Sequence, residues 1–171
     1  MAPYRTRLAI CALALLVAHV PARAVTVPSG WRLPSAADRT GEWRGAGAPF
    51  HIRGDFNGDG IPDEAWILFR KGSDSWAVFA FLGTAAGPPR SIKLAEEHAA
   101  PAQRFVLETI RPSEIVFRTA CGKGRFECAK GEPLTIRFPL PSISFCQRES
   151  SCSVYVWQLK EARFQQIRMS D

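Results

Sequence analysis

The chain has 171 residues, 46% hydrophobic and 22% charged, with a formal net charge of +6 at neutral pH. That size supports one domain with a real core. The basic excess is mild and gathers into no Lys/Arg stripe, which argues against nucleic acid as a partner.

The first element is a leader. MAPYRTR carries Arg5 and Arg7, and LAICALALLVAHV follows as an apolar run well short of the ~20 residues that span a bilayer. Ala22 and Ala24 put small residues at the two positions a signal peptidase reads, so residues 1–24 are expected to be a secretory signal peptide cut after Ala24. Cys11 follows the bulky Ile10, so lipidation is not expected. Removing Arg5, Arg7 and Arg23 lowers the formal charge from +6 to +3. Residues 25–171 then form a single exported domain, with no later run of membrane length.

Ser35 can cap a short N-terminal helix, with Asp38 completing a box-like start and Gly45 ending it. Trp31, Leu33 and Trp43 are expected to pack this segment onto the body. From Phe50 the pattern turns to β: FHIRGDF, EAWILFRK, WAVFAFLG and RSIKLAEE come first, separated by Gly-, Pro- and Ser-rich breaks. EAWILFRK and WAVFAFLG are apolar on both alternating faces, which marks central strands covered on both sides. QRFVLETI and SEIVFRTA read as a hairpin turning at Arg111-Pro112-Ser113. In EPLTIRFP, Leu134, Ile136 and Phe138 alternate inward against Thr135 and Arg137. SISFC, CSVYVWQL and ARFQQIRM complete the series. The class is mainly β: a single compact domain of antiparallel strands, as a sandwich, open barrel or curled sheet.

Four cysteines lie beyond the leader. In an oxidising compartment they pair as disulfides. Closeness in sequence and flanking strand-like runs favour Cys121–Cys128 and Cys146–Cys152. Neither pair has the C-x2-C spacing of a zinc site. A bridged Cys121–Cys128 loop would project Lys123, Arg125 and Phe126 as a rigid basic and aromatic surface suited to a partner.

GDFNGDGIPDEAW is the strongest local signal. Asp55, Asn57, Asp59 and Asp63 occupy positions 1, 3, 5 and 9 of D-x-N-x-D-G-x-x-D, with the Ile61 carbonyl at position 7. Alternate oxygens of a curled loop converge, which suits a hard cation such as Ca2+. Asn-Gly and Asp-Gly also serve as plain hairpin turns, but a plain turn does not require Asp55 and Asp63 at ligand spacing. Without a cation the carboxylates should repel and leave the loop disordered. An EF-hand would need Glu where Trp66 stands, and helices on either side.

With its strand-like flanks, the motif resembles the calcium loop of the FG-GAP and VCBS repeats of integrin-type propeller blades. The resemblance covers residues 50–93 or so and implies calcium at Asp55, Asn57, Asp59, Ile61 and Asp63, within a strand–loop–strand–strand unit. A propeller needs several blades and this chain has one. The rest looks similar to small exported bacterial proteins of unknown function, which brings no activity with it.

No nucleophile-elbow, HExxH or P-loop motif is present. His51 reads as a surface histidine and His98, after Glu96 and Glu97, as part of a solvated loop. These features describe a periplasmic or secreted, monomeric calcium-binding protein with a binding or structural role toward a protein or glycan of the cell envelope. An inhibitor or immunity-type protein is one version. The rival is a hydrolase of cell-wall or carbohydrate material, with Glu96, Glu97 or His98 near the calcium loop.

Overall fold

The computed structural model describes residues 25–147 and 150–170, so the leader expected over 1–24 lies outside it. All ten runs expected as strands form them. They are β2 (His51–Gly54), β3 (Asp63–Arg70), β4 (Trp76–Leu82), β5 (Arg90–Glu97), β6 (Phe105–Ile110), β7 (Ser113–Arg118), β8 (Thr135–Phe138), β9 (Ser142–Gln147), β10 (Cys152–Gln158) and β11 (Arg163–Met169). A two-residue β1 (Trp31–Arg32) precedes them. The first sheet runs β1-β3-β4-β5, with β2 also beside β3, and the second runs β11-β10-β9-β6. Among the described residues, the strands of the remaining β7–β8 ribbon pair only with each other. All pairings are antiparallel.

The layers explain the strands that are apolar on both faces. Ala65, Ile67, Phe69, Trp76, Val78 and Ala80 of the first sheet meet Phe105, Leu107, Ile143, Phe145 and Tyr155 of the second, forming the main core. The opposite face of the first sheet buries Leu68, Ala77, Phe79 and Phe81 beneath Trp31, Val25 and Val27. The outer face of the second sheet is covered by the ribbon, through Phe117, Ile136 and Phe138. The result is an open sandwich with a further cover on each side; every residue of β4 is buried. Fully burying a large apolar side chain stabilises by about 1.5–3 kcal/mol. The two indoles with no exposed surface also pair their N–H groups, Trp43 to the Phe105 carbonyl at 2.8 Å and Trp76 to the Ala100 carbonyl at 2.7 Å.

Four local expectations change. The N-terminal helix is replaced by two 3-10 turns, Ala36–Asp38 and Gly41–Trp43. Asp38 does accept from the Ser35 N–H at 2.7 Å, but it also takes a bidentate pair from Arg32. Gly41 at φ 53° then breaks the helical path before a second turn can form. Leu33 stays 37% exposed while Trp31 and Trp43 pack. QRFVLETI and SEIVFRTA do not form a hairpin: β6 joins β9 and β7 joins β8. Pro112, which lacks a backbone N–H, falls where the chain leaves one sheet for the ribbon. Leu134 lies before β8 and is 63% exposed, because its segment is held by its backbone, with the carbonyl accepting from Thr119 N–H.

Both expected disulfides are present. Cys121–Cys128 has a Cα separation of 5.0 Å, and Cys146–Cys152 joins directly paired residues of β9 and β10 at 4.1 Å. The segment just after the first stapled loop is fastened to β11 by Glu132, whose carboxylate accepts from the Arg168 guanidinium at 2.8 Å and the Arg168 backbone N–H at 3.2 Å. Arg168 and the backbone donors hold the Glu132 carboxyl down at about 2. The folded state therefore binds fewer protons than the unfolded chain, and this stabilisation is present above the unfolded pKa of about 4.3. It is lost as pH falls toward 2. Glu132→Gln should lower stability at pH 7 and flatten the acid limb of a urea-midpoint profile between about pH 4.5 and 2; an unchanged limb would remove Glu132 from the account.

Candidate functional site

The acidic loop joins β2 to β3, which pair from Gly54↔Asp63 to His51↔Trp66. Gly58 and Gly60 adopt φ of 75° and 80°, so the chain curls where only glycine does so without strain. Asp55 sits at the centre of the curl. Its Oδ1 accepts from Gly58 N–H at 2.8 Å and Asp59 N–H at 3.1 Å, and its Oδ2 from Gly60 N–H at 2.9 Å. Asn57 Oδ1 accepts from Asp59 N–H, and Asp59 Oδ1 from Ile61 N–H. Phe56 is fully buried in the main core and anchors the loop from within.

Asp63 behaves differently. It is completely buried, and its two oxygens accept from Phe56 N–H at 2.8 Å, Asn57 N–H at 3.3 Å and Gly83 N–H at 2.8 Å. Burial pushes its carboxyl up to about 6, against the pull of those three donors, so it is ionised at neutral pH. Asp63 thus ties the loop to the end of β4. The other side is braced by Leu140 of the β8–β9 connection, beside Gly58, and by Thr109 of β6, which donates to the Arg53 carbonyl at 3.3 Å.

Backbone N–H dipoles answer the carboxylate charges and supply an internal scaffold. For calcium the donor chemistry is right, being all oxygen, and an ionised carboxylate has about four acceptor sites, so those of Asp55 and Asp59 keep capacity to spare. Convergence is weaker than the motif suggests. Among the described residues no three His, Cys, Asp or Glu side chains gather into a metal-holding group, and the Asn57 amide donates its N–H to Asp59 Oδ2 at 2.8 Å.

Beside the loop lies a cluster that the sequence did not single out. His51 stacks on Trp66 at 3.8 Å between centroids, and its Nε2 is 3.1 Å from Glu64 Oε2. The Trp66 indole donates to the same oxygen at 2.7 Å, while Arg53 pairs with Oε1 at 3.1 Å. Burial lowers the His51 pKa, opposed by the Glu64 charge and hydrogen bond. His51 is therefore a strut between β2 and β3 rather than a free surface histidine. Glu64 and Trp66 share one face of a strand, which was readable. Their pairing with His51 depended on the register across the loop.

Glu96, Glu97 and His98 do not lie near the acidic loop. β4 pairs Trp76 with Glu97 at one end and Leu82 with Arg90 at the other, and the loop sits at the Leu82 end. That places the groups about 20 Å apart along the strand. Glu96 is engaged by Arg70 at 3.0 Å and by Lys93, Glu97 is half-buried, and His98 is exposed.

Of the expected partner contacts, Lys123 donates to the Ser170 carbonyl and borders a groove, whereas Arg125 is exposed. Phe126 is 54% exposed beneath the Arg168 guanidinium, 5.1 Å from its ring centroid. No protein-family model, curated protein or solved structure matches this chain. Among the described residues no helix is long and apolar enough to cross a membrane.

Proposed function

We propose that this is an exported protein with a binding or structural role in the cell envelope, whose acidic loop takes one calcium ion that fixes architecture. Its partner would be a protein or glycan, and an inhibitor or immunity-type role fits the size and compartment. The observation that carries the reading is the position of the loop. Asp55–Asp63 bridges β2, the end of β4 and, through Gly58 and Leu140, the β8–β9 connection. An ion held by Asp55, Asn57, Asp59, Asp63 and the Ile61 carbonyl would stiffen that corner without meeting a substrate. The two disulfides support an oxidising destination. The hydrolase reading is weakened by the separation of Glu96, Glu97 and His98 from the loop.

Calcium titration into chelator-treated protein tests the metal. At about 100-fold excess over Kd, binding to the folded state alone should add about 2.7 kcal/mol, and Asp59→Ala should abolish the response. Identical melting curves in calcium and in chelator would refute the site. Capture of partners from an envelope extract tests the binding role.

A further inference from the structure

The β7–β8 ribbon and the segment just before β8 leave apolar surface uncovered. Ile115, Val116 and Leu134 are 65%, 48% and 63% exposed, in a molecule whose β3 and β4 bury apolar residues on both faces. The register of β7 against β8 slips between Ser113 and Phe117, and β7 has no other strand beside it among the described residues. Between β7 and the Cys152/Met169 end of the β10–β11 hairpin runs an open groove of about 460 Å³. Val116, Phe117 and Met169 give it an apolar lining, and Arg118 and Lys123 are its cations.

Neither of those two cations has a carboxylate partner among the described residues. Arg32, Arg53, Arg70, Lys93, Arg137 and Arg168 sit against carboxylates, whereas Arg118 and Lys123 are among the cations that do not within the described residues. Arg118 is exposed with no carboxylate partner among the described residues, and Lys123 reaches only the neutral carbonyl of Ser170. An open strand edge accepts an extended chain, apolar pockets select alternate side chains, and unpaired cations select carboxylates.

We infer that this groove binds an extended segment of a partner protein, laid along β7, with apolar side chains toward Val116, Phe117 and Met169 and an acidic side chain between Arg118 and Lys123. The inference rests on the binding role proposed above and names the partner's chemistry. Lys123 belongs to this site, and Arg125 and Phe126 lie outside its lining.

Selection from a displayed library of random linear peptides on the purified mature chain tests it, followed by anisotropy titration of the selected synthetic peptides. Enriched sequences should combine a carboxylate with apolar residues at alternate positions, and should bind more weakly as ionic strength rises. The double variant Arg118→Glu/Lys123→Glu should lose affinity by about tenfold or more while melting as the wild type does, and Phe126→Ala should bind normally. No enrichment, carboxylate-free winners, or binding indifferent to the charge reversal would overturn the groove. So would a wild-type dimer in sedimentation that Val116→Asp makes monomeric, since a second copy would then be the occupant. Extract capture that survives the charge reversal overturns the groove and leaves the binding role standing. Charge-dependent peptide binding without any capture counts against the role and not the groove.

Discussion

Asp63→Ala is expected to destabilise the protein by about 4 kcal/mol, even in chelator. The substitution strands three N–H donors, those of Phe56, Asn57 and Gly83, around a residue with no exposed surface. A buried donor left unpaired costs about 1–3 kcal/mol, and the three losses will not simply add. For a domain of this size the melting midpoint should fall by about 10 °C. Asp63→Asn keeps one acceptor oxygen but turns an amide toward backbone donors, so its loss should be intermediate. A midpoint within about 2 °C of wild type for Asp63→Ala would mean that the loop is not held as described. Measuring in chelator matters, because it separates the structural contribution of Asp63 from any part it plays as a calcium ligand.

Gly122→Ala should be about as damaging, for a steric reason. A Cβ at Gly122 would lie 1.9 Å from the Leu134 carbonyl oxygen and 2.8 Å from its carbon. The obstruction is backbone, so no rotamer change relieves it. Gly122 N–H also donates to the hydroxyl of buried Thr119, which in turn donates to the Pro133 carbonyl at 2.8 Å. Separating the stapled loop from the segment before β8 breaks that chain, with an expected loss of about 3–4 kcal/mol. The Cys121–Cys128 bridge should still form, so amide exchange should quicken across residues 119–134 before it does in β3 and β4. Gly124→Ala offers the contrast: it has open space but a φ of 74°, and should cost about 1 kcal/mol. Equal losses at the two glycines would contradict the steric account.

Residue patterns carried the secondary structure far. WAVFAFL is apolar on both faces, and that alone required layers on either side of β4. The cysteine spacing gave both disulfides, because six or seven residues between strand-like runs leave few other partners within reach. The curl of the acidic loop was legible too, from the alternation of its oxygen-bearing residues. Pairing was harder to read. QRFVLETI and SEIVFRTA carry a good turn between them, yet each found a distant strand, because a turn signal cannot weigh the core offered by β9 against that of a local partner.

The same limit applies to the candidate sites. The acidic spacing gave a set of oxygens, but the direction of Asp63 was decided by Gly83, twenty residues on, whose N–H takes one of those oxygens. Glu64 became the hub of His51, Arg53 and Trp66 only through the register of β2 on β3. The grouping of Arg118 with Val116 and Met169 has no sequence signature, because the groove forms where the ribbon meets the β10–β11 hairpin. Local sequence thus determined the strands, the loop curl and the bridges, which depend on neighbouring residues and the period of two. Which strands paired, where each carboxylate pointed and which cations stayed uncompensated were decided by tertiary structure, because those outcomes follow from contacts between segments far apart in the chain.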